Sequence, residues 1–216
     1  MTRIALIHAL AHSVAPINDA LAHDWPQAMR MNLLDDSLSA DLAASTTGLD
    51  ASMHARFERL ARYAADCGSD AILFTCSAFG PCIDAVAKSL APLPVLKPNE
   101  AMIAQAASLG CRIGLIASFA PTLQSMPAEF PDGTELVSEL VEDAMAALNA
   151  GDTARHDALV ESAADRLVNQ GCAVIALAQF SMARARKRVA ERTGLPVLTT
   201  VDSAVIELRR RLAKSV

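Results

Sequence analysis

The chain has 216 residues, a formal net charge of −5, 52% hydrophobic residues and only 4% aromatic ones. That length buries a substantial core, in one large domain or two small lobes, and the acidic balance argues against a nucleic-acid partner. No apolar run approaches a membrane span and Met1-Thr2-Arg3-Ile4 carries no signal-peptide pattern, so the sequence reads as cytoplasmic, with no membrane partner. Five cysteines (Cys67, Cys76, Cys82, Cys111, Cys172) form no C-x-x-C pair and five histidines form no H-E-x-x-H, so reduced thiols and no metal are expected. With so few aromatics, the core must be Ala, Leu, Val and Ile, as in helices packed on a parallel sheet.

Taken in order, residues 3–10 read as a strand, with Ala11-His12-Ser13 as the turn that leaves it and Ser13 as a cap for a helix over 14–22. Residues 29–34 read as a second strand. The stretch 35–48, rich in Ser, Asp and Thr, reads as a mobile loop able to cover a site. A helix over 52–66 ends at Gly68. Ala71-Ile72-Leu73 is a short buried strand, and it runs into Phe74-Thr75-Cys76-Ser77-Ala78-Phe79-Gly80-Pro81-Cys82 before a helix over 83–90. A thiol therefore sits at a strand-to-helix turn, where ligands of open α/β sheets bind and where helix-start N–H groups are expected to lower the pKa of Cys76. A strand at Val95-Leu96 and a helix over 99–109 follow.

The chain then begins again. Arg112-Ile113-Gly114-Leu115-Ile116 matches Arg3-Ile4-Ala5-Leu6-Ile7; the step from Gly68 to Gly171 is 103 residues and that from Pro94 to Pro196 is 102. Two similar half-chains are implied, in an α/β fold of two pseudo-symmetric αβα lobes with parallel sheets and the active site in the cleft between them. The first lobe is expected over 1–98 plus 199–216 and the second over 99–198. The repeat places Gln179, in Leu177-Ala178-Gln179-Phe180-Ser181, opposite Cys76.

With Thr75-Cys76-Ser77, Gly114-Leu115-Ile116-Ala117-Ser118 and Thr122 at these positions, nearly the whole chain resembles the aspartate/glutamate/hydantoin racemase superfamily, including its arylmalonate decarboxylase and maleate isomerase branches. The resemblance implies a cofactor-independent enzyme acting next to the carboxylate of a small acid. It implies Cys76 as thiolate base or nucleophile. Ser77 and Ala78 would bind the substrate carboxylate from the first half, Ser118, Thr122 and Phe180 from the second, and Ser13 from the first turn. Gln179 stands where racemases carry their second cysteine, and an amide has no proton to exchange at a useful pKa. A racemase or isomerase is thus the leading expectation. A one-thiol decarboxylase or lyase, with Leu177, Ala178 and Phe180 forming an apolar pocket, and a non-catalytic carboxylate binder are the alternatives. A homodimer is compatible with the sequence.

Other residues have plainer readings. Cys82 packs in a helix, and Cys67, Cys111 and Cys172 are structural. His12 is either turn surface or the missing acid, and Asn99 caps a helix while Lys97 sits near the ligand side. Arg184, Arg186, Lys187 and Arg188 form a solvated basic face, and Glu139, Glu142 and Asp143 an exposed helix face.

Overall fold

The computed structural model describes residues 2–213. The chain divides into two compact units, one taking residues up to Pro98 and again from Ala204, the other running Asn99–Ser203.

The first unit is built on β1 (Arg3–His8), β2 (Met29–Leu34), β3 (Ala71–Phe74) and β4 (Val95–Leu96), in the all-parallel order β2-β1-β3-β4. β1 and β3 are apolar without alternation because they lie inside the sheet with both faces covered, and β3 is buried along its whole length. The connecting helices are α1 (Val14–Asp24), α2 (Ser37–Ala44), α3 (Ala51–Asp66) and α4 (Gly80–Ser89). α3 buries Met53, Phe57, Ala61 and Ala64 on one stripe and starts at Asp50, whose carboxylate accepts the Met53 N–H. Pro81 lies in the first turn of α4, where no donor is lost.

Two expectations for this unit need correction. Residues 35–48 are not a continuous loop: α2 forms within them because Leu38 and Leu42, four residues apart, both find buried positions. Arg56 of α3 then ties the stretch down through ion pairs to Asp35 at 2.8 Å and Asp41 at 2.5 Å. Ser13 precedes α1 but makes no side-chain cap bond; its backbone is already helical there.

The second unit repeats the topology. Its strands β5 (Ile113–Ala117), β6 (Leu136–Leu140), β7 (Val174–Leu177) and β8 (Val197–Thr199) are again all parallel, in the order β6-β5-β7-β8. The helices are α5 (Glu100–Ser108), α6 (Ala120–Ser125), α7 (Glu142–Asn149), α8 (Thr153–Asn169) and α9 (Arg186–Thr193), while α10 (Thr200–Ala213) begins in this unit and from Ala204 belongs to the first. The repeat extends to detail. Gly68 and Gly171 both take positive φ, at 72° and 82°, and the guanidinium groups of Arg3 and Arg112 donate to the carbonyls just before them, on Cys67 and Gln170.

Here too the structure revises expectations. Glu139 is on strand β6, not on a helix with Glu142 and Asp143, and it pairs with Arg166 at 2.7 Å; β6 is an edge strand and its half-exposed residues hid it. The basic face around Arg184 is solvent-exposed, as expected, and it is also ion-paired: Arg184, Arg188 and Arg192 meet Asp157, Glu161 and Asp165 of α8. Each arginine lies one helical turn beyond the last and so does each acid, which makes the pairs a ladder between neighbouring helices. Asn99 makes no side-chain cap for α5 and instead donates to Glu129 at 2.9 Å.

Candidate functional site

β3 ends at Phe74, and Thr75-Cys76 lead into a short 3-10 turn over Ser77–Phe79 before α4 begins. The turn is held from both sides by one ring. Phe57 of α3 stacks on Phe74 with centroids 5.1 Å apart and packs against Phe79 at 4.8 Å. Cys76 sits between these anchors, so its backbone is fixed by packing worth about 0.5–1.5 kcal/mol per aromatic pair beyond simple burial.

The electrostatics of Cys76 run against the sequence expectation. Burial pushes its thiol up to about 11, because water is excluded from the charged form. The Ala78 backbone N–H and a hydrogen-bonding contact with the Ser39 side chain act the other way and do not overcome burial. Ser39 belongs to α2, so the stretch first read as a loop supplies a group to the site as a helix; its one hydroxyl proton goes to the Ala9 carbonyl at 2.7 Å. Cys82 is fully buried in α4 with its thiol likewise pushed up to about 11 by burial, and Cys172 lies in the second unit's core, as packing residues.

A polar string missed by the sequence reading reaches this turn. Asn18 donates one amide hydrogen to the Val14 carbonyl and the other to Asn32 Oδ1, both at 2.8 Å. Asn32 Oδ1 thereby faces His8 Nε2 at 2.9 Å, so Nε2 carries the proton and donates. His8 Nδ1 is left as the acceptor for the Thr75 hydroxyl, 2.9 Å away. His8 and Thr75 are buried, and burial holds the imidazole below its ordinary pKa. The only signal in the sequence was a histidine ending an otherwise apolar strand. Ser77, Ala78 and Ser13 are buried in the turns after β3 and β1, and His12 is partly buried beside Ser13. Lys97, after β4, pairs with Asp84 at 3.2 Å.

In the second unit, Ser118 follows β5 and Gln179 follows β7, continuing the register that pairs Ile116 with Leu177. Gln179 Oε1 accepts two bonds from Ser118, from its N–H at 2.5 Å and from its hydroxyl at 3.1 Å. The amide orientation is settled chemically, since a backbone N–H can only donate. Thr122 and Phe180 are buried nearby in sequence, Thr122 in α6 after β5 and Phe180 at the start of the 3-10 turn after β7. Leu177 and Ala178 do not form a pocket wall: each is fully buried in the core on one face of the sheet. Ser181 and Thr200, at the same end of the sheet, have buried hydroxyl oxygens without a hydrogen-bond partner. Among the described residues no three His, Cys, Asp or Glu gather as a metal site, and no helix is long and apolar enough to cross a membrane.

A family model described as Asp/Glu/Hydantoin racemase matches residues 11–208. No curated protein matches the chain. Among solved structures, glutamate racemase RacE1 from Bacillus anthracis is 13% identical with a TM-score of 0.76, over 99% of this chain and 82% of that one. Allantoin racemase from Pseudomonas fluorescens is 18% identical with a TM-score of 0.72, over 100% and 92%. A glycine-to-cysteine variant of arylmalonate decarboxylase, in a sulfate-associated form, is 17% identical with a TM-score of 0.68, over 96% and 92%. At these identities the likeness is one of fold.

Proposed function

Because the chain belongs to the Asp/Glu/Hydantoin racemase family, we propose that it is a cofactor-independent racemase or isomerase of a small carboxylate, with Cys76 as the thiolate base that takes the α-proton and a water returning one to the opposite face. The observation that carries the reading is the placement of Cys76: a thiol at the head of the β3 turn, with the Ala78 N–H donating to its sulfur and the Ser39 side chain beside it. In the ionised state these groups stabilise the thiolate, which removes the proton from the carbon beside the carboxylate. The C–H electron pair moves into the carboxylate as an enediolate, and donors aimed at those oxygens lower the barrier. Ser77 and Ala78 are the proposed carboxylate contacts on this half. A thiol raised to about 11 is mostly protonated at rest, so a base role requires that substrate binding favour its ionised form.

One observation favours a second reading, a decarboxylase or lyase. Gln179 offers amide hydrogens and no acid, and a protonated Cys76 is the state needed to deliver one proton to an enediolate left by loss of carbon dioxide. Single enantiomers of aspartate, glutamate and hydantoins in deuterated water, alongside a panel of substituted malonates, separate the two. α-Deuterium incorporation or loss of optical rotation supports the racemase; gas release on malonates supports the lyase. Either activity should vanish in Cys76→Ser while carboxylate binding persists, and turnover unchanged in that variant would refute the assignment of the thiol.

A further inference from the structure

The bond between Gln179 and Ser118 is unusual in what it consumes. A backbone N–H and a hydroxyl on one residue, both directed at one oxygen, are the donor pair that a ligand carboxylate oxygen accepts from. Here that oxygen is supplied by the protein's own amide, at 2.5 and 3.1 Å. The arm that carries it is held in place. The Gln179 backbone is extended, its carbonyl accepts from the Met182 N–H at 3.0 Å, and the preceding Ala178 N–H is tied to Ile116 at 2.9 Å. The adjoining turns also keep polar capacity in reserve: the Ser181 and Thr200 oxygens are buried and unpartnered at the same end of the sheet. Among the described residues the first unit shows no equivalent plug at the matching position. Continuing the register that pairs Ile7 with Phe74 sets Cys76 beside Ala9, whose side chain has no donor.

We propose that Gln179 is a specificity-determining residue that occupies, with its own side-chain carbonyl, the position of a ligand carboxylate oxygen on Ser118. The turn after β5 is therefore closed to carboxylates while Gln179 is in place, and what this half presents to a ligand is the Gln179 amide N–H pair, a neutral donor. The proposal deepens the reading of the chain as a small-carboxylate enzyme, and on that reading it selects against substrates that need a second carboxylate held at Ser118.

The test is an amide NMR titration of the full-length, nitrogen-15-labelled protein with succinate, read at the Ser118 N–H. The wild type and Gln179→Glu, which keeps an oxygen on Ser118, should show no saturable shift at Ser118. Gln179→Ala should show one, with succinate bound at least tenfold more tightly than by the wild type. If the alanine variant does not fold, Gln179→Asn withdraws the carbonyl by one methylene and should respond in the same way. A wild-type Ser118 that saturates as readily as the variant's, or a folded variant whose Ser118 ignores succinate, overturns the proposal. Because the readout needs no turnover, failure of the racemase reading would appear in deuterium exchange and leave this result untouched.

Discussion

The imidazole of His8, at the end of β1, lies 2.9 Å from the hydroxyl of Thr75, the residue before Cys76. The bond joins neighbouring strands at the end of the sheet where the thiol sits, and the Asn18–Asn32 pair dictates which ring nitrogen accepts it.

This arrangement requires a neutral ring, and burial depresses the folded-state pKa of His8 below 6.5. The unfolded chain therefore takes up the proton first as pH falls. Stability from this group is fully present above 6.5 and is lost as pH drops toward the folded value. Urea midpoints should decrease between pH 7 and pH 5, and His8→Asn should show a shallower decrease. Equal slopes in the two proteins would mean that His8 is not the group responsible.

Cys76 should alkylate slowly at neutral pH. A thiol of about 11 is ionised to roughly one part in ten thousand at pH 7, and the thiolate is the nucleophile. Iodoacetamide labelling followed by mass spectrometry of the Cys76 peptide should rise about tenfold per pH unit through pH 9 without levelling. Ser39→Ala, which removes the hydrogen-bonding side chain that favours the thiolate, should slow labelling further at each pH. A plateau below pH 8 would show a depressed thiol and contradict the effect of burial.

Gly114 in β5 is set by close approach, not by backbone conformation. A Cβ there would meet Leu167 Cδ1 at 2.9 Å and Ile175 Cδ1 at 3.1 Å. Gly114→Ala should destabilise the protein by about 1–3 kcal/mol through overpacking. Adding Ile175→Val, which deletes one of the opposing methyls, should recover part of that loss in chemical denaturation. An alanine variant as stable as wild type would show that α8 yields more easily than a close-packed helix should.

Fold class and family were legible because they rest on local and periodic signals. Apolar runs such as Ala71–Phe74 and Val174–Leu177 mark buried parallel strands, and the repeated Arg-Ile-x-Leu-Ile start exposes the duplication. Weakly apolar elements were less visible. β6 and α2 are half-exposed and gain their order from neighbours: β6 by pairing along β5, α2 by burying Leu38 and Leu42. Cys76 was singled out correctly as lying at a strand-to-turn junction, yet its acidity was expected in the wrong direction, since a local helix-start rule says nothing about how much water the surrounding elements remove.

The sequence by itself determined the buried parallel strands, the doubling of one half-chain into two, and the presence of a glutamine where the repeat matches a cysteine. These follow from chain spacing and side-chain chemistry, which folding does not alter. Only the tertiary structure decided what those groups do to one another. It brings His8 to Thr75 across 67 residues and Gln179 to Ser118 across 61. Burial and hydrogen bonding depend on such long-range contacts, and they turn a thiol expected to be acidic into one held protonated and a missing acid into a carbonyl that fills a donor pair.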